Sequence, residues 1–231
     1  MHAIILAGGL GTRVQELTKN KIPKPMLCIN ERPLLEYIVD WLLMQDMKEI
    51  IFAIGFKGDV VRQHFKNNYK GIKIQYSDEG DYLLGTGGAI KKALAYCSEN
   101  TVFVINGDTY FPVDLKKFLS CHKRNYSEIT LALKHLYNFY RFGTVEIDAG
   151  TRIRSFKEKG FYQEGFINAG IYCIKKDILL NYTKDTFSFE KEILEKQIKE
   201  LRIFGKIFDG IFHDIGTPAD YKNFSEVTNY V

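Results

Sequence analysis

Over the first two-thirds of the chain, short apolar runs alternate with segments whose apolar residues have helical spacing. Strands that alternate with helices form βαβ units and a mostly parallel sheet with helices on both faces. The predicted strands of this region are His2–Leu6, Glu49–Ile54, Ile72–Tyr76 and Thr101–Ile105. The predicted helices are Pro33–Met47, Asp59–Tyr69 and Ala89–Tyr96.

The last third of the chain is strand-rich, which indicates partly antiparallel pairing beside the parallel sheet. Its predicted strands are Ile129–Leu136, Thr144–Ile147, Ile153–Lys157, Phe166–Ile174, Ile203–Ile207 and Ile211–His213. Two helices are predicted, Ser188–Lys199 with Ser188 as N-cap and Asp220–Tyr230. We therefore expect an α/β fold: a single-domain Rossmann-like three-layer αβα sandwich with a mostly parallel central sheet and a β-rich C-terminal third.

Composition and charge exclude some classes of function. Of the 231 residues 45% are hydrophobic, and 32 basic against 28 acidic residues leave a net charge of +4. Such a small excess, without a dense basic block, fits small anionic substrates rather than nucleic acid. The short apolar run Met1–Leu6 has no basic region before it, so we expect no signal peptide, no membrane span and a cytoplasmic location. Cys28, Cys97, Cys121 and Cys173 form no C-x-x-C pair, which indicates free thiols.

The strongest chemical signal is the glycine-rich loop after the first strand, Leu6-Ala7-Gly8-Gly9-Leu10-Gly11-Thr12-Arg13. Three glycines in four positions let the backbone approach a ligand and turn several N–H groups toward an anion. The loop has Val14 where the dinucleotide motif needs its third glycine, and it lacks the Gly-Lys-Ser/Thr of a P-loop. Arg13, a planar cation beyond the glycines, suits a polyphosphate. A glycine-rich turn with a surface arginine is the alternative.

Two further segments are weaker signals. Lys21-Ile22-Pro23-Lys24-Pro25 holds Lys24 in a stiff turn, where its ammonium group suits a phosphate. A solvated lysine in such a turn is equally common. Leu84-Gly85-Thr86-Gly87-Gly88-Ala89, at a predicted strand-to-helix junction, would let a base or ribose approach the backbone closely. Such a segment is as often only the start of a helix.

Two aspartates stand where strands end. Asp108 lies in Asn106-Gly107-Asp108-Thr109, and ligands of open α/β sheets bind outside the carboxyl ends of the strands. Asp214 lies in His213-Asp214-Ile215-Gly216-Thr217-Pro218, after another predicted strand. Carboxylates together with phosphate oxygens are the ligands that Mg²⁺ prefers. We therefore predict that Asp108 and Asp214 hold Mg²⁺; a turn residue near a helix start is the alternative for Asp214.

In their order from Leu6 to Thr217, these five segments resemble the active-site motifs of the sugar-1-phosphate nucleotidyltransferase family. Glu158-Lys159 is similar to the family's sugar-contacting pair, and Ile167-Asn168-Ala169-Gly170-Ile171-Tyr172 to its sugar-binding strand. The resemblance implies a nucleotide-binding half over residues 1–125 and a sugar-binding half over residues 126–231. It implies that the sugar phosphate is bound by Gly143, Glu158, Lys159, Asn168 and Gly170, with Gly143 contacting the sugar through its backbone.

The activity that the resemblance implies is transfer of a nucleoside monophosphate from a nucleoside triphosphate to a sugar 1-phosphate, with Mg²⁺ as cofactor. Arg13, Lys24, Asp108 and Asp214 would act in catalysis. The nucleotide would be bound by Leu6, Ala7, Gly8, Gly9, Gly11, Thr12, Arg13, Lys24, Glu79, Gly85, Thr86, Gly87 and Asp108. Within the family, the short chain looks most like bacterial guanylyltransferases that use D-glycero-α-D-manno-heptose 1-phosphate and supply capsule or lipopolysaccharide synthesis. The chain could also form a homo-oligomer.

The nucleobase is predicted from one position at which this chain differs from the family's pattern. Relatives that take thymidine or uridine nucleotides carry a base-reading glutamine five residues before the glycine cluster, where this chain has Gly80. Glu79 beside it is predicted to accept the two adjacent N–H donors of guanine; a site of backbone carbonyls is the alternative.

Other functions are weighed against this one. The alternatives are mannose 1-phosphate as the acceptor, phosphocholine with CTP, and a non-catalytic homologue that binds sugar nucleotides. Glu158, Lys159 and Asn168 favour a sugar as substrate. The presence of Arg13, Asp108 and Asp214 favours an enzyme.

Overall fold

A ten-stranded sheet forms the centre of the computed structural model, which describes residues 1–80 and 82–227. The strands are β1 His2–Leu6, β2 Cys28–Ile29, β3 Arg32–Pro33, β4 Glu49–Ile54, β5 Asn68–Tyr69, β6 Ile72–Asp78, β7 Thr101–Asn106, β8 Thr109–Tyr110, β9 Ile129–Phe139, β10 Val145–Ile147, β11 Ile153–Phe156, β12 Tyr162–Lys175, β13 Ile203–Ile207 and β14 His213–Asp214. The α-helices are α1 Gln15–Thr18, α2 Leu34–Leu43, α3 Gly58–Phe65, α4 Gly85–Ala93, α5 Leu115–Arg124, α6 Asp177–Leu180 and α7 Pro218–Val227. A π-helix spans Phe189–Glu195, and 3-10 turns span Thr12–Val14, Lys24–Met26 and Leu94–Tyr96.

The parallel part of the sheet is buried on both faces. The main path of the whole sheet runs β11-β10-β12-β7-β1-β4-β6-β5, and its parallel part is β7-β1-β4-β6. Strand β1 lies between β4 and β7 and is parallel to both. Its Ile4 lies opposite Ile51 of β4 and Val104 of β7. Successive side chains of a strand point to opposite faces, and here Ile4 and Ile5 are both fully buried, each in a different core cluster. The near-continuous apolar runs thus form interior parallel strands, as predicted.

Helices cover both faces of this sheet. Leu34 of α2, Val61 of α3 and Phe118 of α5 belong to the core cluster on the Ile5 face. Helix α4 and the π-helix contribute to the cluster on the Ile4 face. The predicted three-layer αβα arrangement is therefore confirmed.

The strand-rich part of the chain joins the same sheet antiparallel. Strand β12 pairs antiparallel with β7, β9 and β10, and β10 pairs antiparallel with β11. Strand β13 returns parallel to β9. Because β12 pairs with β7, the sheet is continuous between residues 1–125 and 126–231. The predicted β-rich C-terminal third is confirmed.

Two predicted helices are too long at their carboxyl ends. The helix predicted over Pro33–Met47 ends at Leu43, and Asp46 just beyond it has a φ of 54° that no helix continues through. The helix predicted over Asp59–Tyr69 ends at Phe65, because Lys66 has a φ of 52°. The chain then forms the short strand β5 instead.

The helix predicted over Ala89–Tyr96 begins earlier, at Gly85, and its α-helical part ends at Ala93. The glycine cluster is therefore inside α4 rather than before it. Helix α5 was not predicted. Asp114 is its N-cap, accepting from the Lys117 N–H at 2.9 Å.

The carboxyl-terminal elements also differ from the prediction. The helix predicted over Ser188–Lys199 is the shorter π-helix, with Ser188 confirmed as N-cap by a 3.2 Å bond from the Lys191 N–H. The strand predicted over Ile211–His213 is β14, which keeps only His213 of that range and adds Asp214. The last predicted helix begins earlier, at Pro218, and its residues 228–230 lie outside the described part.

The predicted free thiols are present: Cys28 is exposed and the other three cysteines are buried, none in a disulfide. No helix within residues 1–80 and 82–227 combines the length and the apolar character needed to cross a membrane.

Candidate active site

The carboxyl ends of β1 and β7 bring the glycine loop beside Asp108. Leu6 lies opposite Asn106 in the parallel register, and the Gly107 N–H donates to the Leu6 carbonyl at 3.0 Å. A Cβ atom on Gly107 would lie 2.5 Å from the same carbonyl oxygen, so this close approach requires glycine. Register alone therefore sets Asp108 next to the loop that begins at Ala7.

The glycine loop is hydrogen-bonded to the sheet at its first residue, whereas the N–H groups that follow are left for a ligand. The N–H of the buried Ala7 donates to the Ala53 carbonyl of β4 at 2.8 Å, and the chain turns at Gly11 with a φ of 59°. Among the described residues, no backbone carbonyl accepts from the N–H groups of Gly8, Gly9 or Gly11. These three groups are available to an anion.

Lys24 lies between two carboxylates. It begins a 3-10 turn directly after Pro23, and its side chain is only 10% exposed. The ammonium Nζ donates to Asp108 Oδ2 at 2.6 Å and lies 4.0 Å from Asp214 Oδ1. A buried ammonium needs such partners, because desolvating an unpaired charge costs several kcal/mol. The turn thus brings three charged groups from distant parts of the sequence to one point.

Asp214 reaches this point through β14, which pairs antiparallel with β8 and sets Asp214 opposite Thr109. Its side chain is 18% exposed. Burial first, and then the nearby charge of Asp108, raise the pKa of the Asp214 carboxyl. Because the negative charges of Asp108 and Asp214 repel each other, a cation bound between the two carboxylates would be stabilised.

The two carboxylates fit Mg²⁺, which usually takes one or two carboxylates and fills its remaining positions with substrate phosphates and water. Within the described ranges, no three His, Cys, Asp or Glu side chains cluster as a complete metal site. An ion held by Asp108 and Asp214 would therefore draw its other ligands from phosphate oxygens and water, so its binding would depend on the nucleotide.

The glycine loop, Lys24 and Asp108 border a cavity of about 380 Å³, whereas the predicted residues Ala7 and Asp214 are not among its lining residues. The predicted residues that line it are Leu6, Gly8, Gly9, Gly11, Thr12, Arg13, Lys24, Glu79, Gly85, Thr86 and Asp108. Eight further residues line it: Pro25, Ala89, Asn106, Gly107 and Gly216, which belong to the motif segments without having been predicted as site residues, and Val14, Ala53 and Leu83, which lie outside those segments. Most of these eight offer backbone or apolar surface, for which a sequence gives little chemical signal.

Glu79 is half-buried on the cavity wall. Its Oε2 accepts from the Leu84 N–H at 2.7 Å, which ties the carboxylate to the start of α4. The other oxygen lies beside Gly8, so closely that a Cβ atom on Gly8 would collide with it. Burial raises the pKa of the Glu79 carboxyl. A ligand that donates hydrogen bonds to Glu79 would offset the free-energy cost of burying its charged form.

The second glycine segment is shaped by packing. A Cβ atom on Gly87 would collide with the Phe187 ring, and one on Gly88 with the Asp185 carbonyl. The Gly87 N–H also donates to the Phe187 carbonyl at 2.9 Å. Gly85 lines the cavity, whereas Gly87 is not among its lining residues. These glycines let α4 approach the chain before the π-helix, and contact of Gly87 with the nucleotide stays a prediction.

The predicted sugar-phosphate residues lie beyond this cavity lining. Glu158 and Lys159 are exposed in the turn after β11. Asn168 Oδ1 accepts from the Gly170 N–H at 3.0 Å. A Cβ atom on Gly170 would lie 2.6 Å from Nδ2 of Asn106, a cavity-lining residue. Asn168 and Gly170 therefore adjoin the cavity wall through Asn106, while Glu158 and Lys159 are not among the lining residues.

The loop around Gly143 brings in a residue that the sequence did not single out. Gly143 packs so closely on the Lys157 carbonyl that a Cβ atom would collide with it. Two residues earlier, Arg141 Nη2 donates to Asp214 Oδ2 at 3.2 Å. A single arginine between aromatic residues carries no local signal; only the resemblance at Gly143 pointed to this loop.

The chain is similar to known proteins over nearly its whole length. The profile of the nucleotidyl transferase family matches residues 2–229. The chain is 47% identical over 225 residues to the D-glycero-α-D-manno-heptose 1-phosphate guanylyltransferase of Campylobacter jejuni, covering 97% of this chain and 98% of the relative. It is 43% identical over 233 residues to the protein of the same name from Aneurinibacillus thermoaerophilus, covering 100% of both.

A solved structure has the same fold. The crystal structure of HddC from Yersinia pseudotuberculosis complexed with GMP-PN has a TM-score of 0.87 at 34% identity. The match covers 98% of this chain and 99% of that one. The mixed α/β architecture with a mostly parallel central sheet is thus shared over nearly the whole chain.

Proposed function

The chain belongs to the nucleotidyl transferase family, and we propose that it transfers the guanylyl group of GTP to D-glycero-α-D-manno-heptose 1-phosphate, releasing pyrophosphate. The observation that carries the proposal is the meeting of Lys24, Asp108 and Asp214 beside the free amides of the glycine loop. GTP and the heptose are supported by the two guanylyltransferase relatives and by the GMP-PN complex of the structural relative. We also propose a cytoplasmic location, where nucleoside triphosphates are supplied.

The reaction needs charge neutralisation and alignment rather than a base, because the sugar phosphate is already an anion at pH 7. A phosphate oxygen of the sugar 1-phosphate bonds to the α-phosphorus of GTP while the bond from that phosphorus to the leaving oxygen breaks. Arg13 and the amides of Gly8–Gly11 hold the β- and γ-phosphates, which leave as pyrophosphate. Lys24 stabilises the charge on the α-phosphate, and Lys159 guides the incoming sugar phosphate.

Asp108 and Asp214 would hold Mg²⁺. When bound, the ion neutralises charge on the α-phosphate. The contribution of the protein is to hold the two carboxylates close together in a partly buried position, where they favour a cation.

Glu79 is proposed to select guanine. The base presents two adjacent N–H donors, whereas uracil and thymine present one donor between two acceptors. Glu79 is half-buried and its Oε2 already accepts from the Leu84 N–H. Each carboxylate oxygen can accept two hydrogen bonds, so Oε1 and the second lone pair of Oε2 remain for the two donors of guanine, whereas uracil or thymine would fill only one of these positions. A site with buried acceptors can discriminate by up to ~10⁴-fold, because a wrong base leaves them unpaired.

The sugar is proposed to be bound by the side chains of Glu158 and Asn168 and by the backbone at Gly143 and Gly170. The hydrogen bond from Gly170 to Asn168 and the contact of Gly170 with Asn106 support this, because they join the sugar-binding strand to the cavity wall.

A matrix of substrates tests the proposal. ATP, CTP, GTP, UTP and dTTP are each offered with heptose, mannose, glucose and N-acetylglucosamine 1-phosphates and with phosphocholine, and pyrophosphate release is measured. We expect turnover with GTP and the heptose above every other pair. A preference for UTP or dTTP would refute the guanine assignment, and turnover with a hexose but not the heptose would refute the sugar. Binding of a sugar nucleotide without any turnover would identify a non-catalytic homologue.

A further inference from the structure

Arg141 links the loop of the predicted sugar contact Gly143 to the carboxylate of Asp214. Its Nη2 donates to Asp214 Oδ2 at 3.2 Å, and its Nη1 makes a short ion pair with Asp220 Oδ1. The Arg141 side chain is 30% exposed, against 18% for Asp214 and 23% for Asp220. The guanidinium therefore bridges two half-buried carboxylates at the two ends of one short segment. A planar fork of N–H groups suits such a bridge, whereas a lysine would reach it with a single point charge.

The second carboxylate is itself held in place. Asp220 lies in the first turn of α7, and its backbone N–H donates to Thr217 Oγ1 at 3.4 Å. The Thr217 hydroxyl in turn donates to the Asp220 carboxylate through a short bond. This reciprocal pair fixes the start of the helix, so Arg141 is anchored to a rigid element rather than to a loose side chain.

Gly216 lies close to both the Arg141 guanidinium and the Asp214 carboxylate. Its backbone is not left-handed, so its own conformation does not demand glycine. A Cβ atom there would collide with Arg141 Nη2 and lie 2.9 Å from Asp214 Oδ2. The glycine of the Asp-Ile-Gly-Thr motif thus leaves room for the guanidinium to rest against the carboxylate.

The two oxygens of Asp214 face different cations. Oδ2 accepts from Arg141, while Oδ1 lies 4.0 Å from the Lys24 ammonium, on the side of Asp108. We propose that Arg141 is a positioning residue: it holds Oδ2 so that Oδ1 faces the place where the cation and the α-phosphate bind. This inference rests on the proposed function, because it assigns a partner to the proposed metal ligand.

The test measures metal binding apart from turnover. Mn²⁺ is titrated into the protein with GTP and without any sugar 1-phosphate, and free Mn²⁺ is followed by electron paramagnetic resonance. Loss of a residue that orients a metal ligand typically weakens metal affinity by about 10–100-fold. We expect Arg141→Gln to weaken Mn²⁺ binding by roughly tenfold or more, and Arg141→Lys to weaken it less because the charge remains. In turnover assays, kcat should fall while the KM for the sugar 1-phosphate changes little.

Arg32 provides a matched control. It also bridges two carboxylates, those of Glu36 and Asp40, but at the start of α2. Arg32→Gln therefore removes the same kind of bridge, and we expect Mn²⁺ affinity and turnover to stay at wild-type values. A thermal unfolding curve for each variant identifies those that are folded.

Unchanged Mn²⁺ affinity in folded Arg141→Gln would overturn the positioning role while leaving the proposed function intact. A raised KM for the sugar 1-phosphate with unchanged Mn²⁺ affinity would overturn it too, because Arg141 would then bind the substrate directly. If Arg141→Gln does not fold, Arg141→Lys decides, and wild-type Mn²⁺ affinity in that variant refutes a need for the planar fork. Wild-type protein that binds no Mn²⁺ with GTP would overturn both the proposed function and this inference.

Discussion

The proposed nucleotide side and the proposed sugar side of the site are built differently. On the nucleotide side, backbone amides of the glycine loop adjoin Lys24, whose side chain is 10% exposed, and the carboxylates at two strand ends. On the sugar side, the predicted contacts Glu158 and Lys159 are exposed side chains in a turn. The fold sets the first arrangement through strand register. On the sugar side it packs Gly143 and Gly170 closely, whereas Glu158 and Lys159 are exposed to solvent.

This difference predicts two kinds of mutational effect. Changes on the nucleotide side should lower turnover strongly or should cost stability, since the same atoms serve the core and the chemistry. Changes at exposed sugar-side residues should alter one substrate's KM and leave stability unchanged.

The largest effect is expected at the two carboxylates. Asp108→Asn and Asp214→Asn should each lower kcat by roughly a hundredfold or more, because a preorganised charge in the site is lost. The measurement is Mg²⁺-dependent pyrophosphate release, with circular dichroism to show that each variant is folded.

Asp46→Asn is the matched control for these carboxylates. Asp46 pairs with Lys116 at 2.6 Å, as Asp108 does with Lys24, but its side chain is 74% exposed. We expect no change in kcat for this variant. Near-normal rates in folded Asp108→Asn or Asp214→Asn would remove that residue from the proposed metal site.

Two glycines separate the requirements of packing from those of binding. Gly87→Ala puts a Cβ atom against the Phe187 ring and should lower the free energy of unfolding by about 1–3 kcal/mol. No heavy atom lies within 4 Å of a Cβ atom added to Gly9, so Gly9→Ala should keep its stability while losing affinity for GTP. Urea unfolding and GTP titration check the pair. If Gly87→Ala and Gly9→Ala were equally stable, the packing role of Gly87 would be contradicted. If Gly9→Ala bound GTP with wild-type affinity, the binding role of Gly9 would be contradicted.

Arg13→Lys is expected to have a smaller effect. The substitution keeps the charge in the cavity but loses the planar fork that suits a polyphosphate. We expect kcat/KM for GTP to fall by roughly tenfold, equivalent to about 1.4 kcal/mol of transition-state stabilisation. Arg154→Lys, at an exposed arginine that binds Asp148, serves as the control. An unchanged kcat/KM would mean that Arg13 does not contact the phosphates.

The parts of this fold that could be predicted are those in which local sequence and tertiary environment agree. Strands β1 and β4 have the predicted bounds, because strands buried on both faces need continuous apolar runs. The two aspartates could be proposed together because both follow strands within recognisable motifs.

The remaining features depend on distant contacts. Glycines disfavour helix interiors, yet α4 includes the cluster at Gly85–Gly88 because that segment packs on the chain at Phe187. Helix α5 did have a local signal that the prediction missed, because Leu115, Phe118 and Leu119 have helical spacing directly after the N-cap Asp114. Arg141 was missed because its partners Asp214 and Asp220 are far away in the sequence.

The smallest effect is expected at Lys159, and it tests the sugar side directly. An exposed charge contact contributes up to about 1 kcal/mol, so Lys159→Met should raise the KM for the sugar 1-phosphate by about fivefold. The KM for GTP and the unfolding midpoint should not change, because Lys159 is exposed and outside the cavity lining. Lys157→Met, which removes a neighbouring lysine that is paired with Glu146, should leave both KM values unchanged. If both KM values rose together in Lys159→Met, the two sides of the site would share this residue and the division drawn above would be wrong.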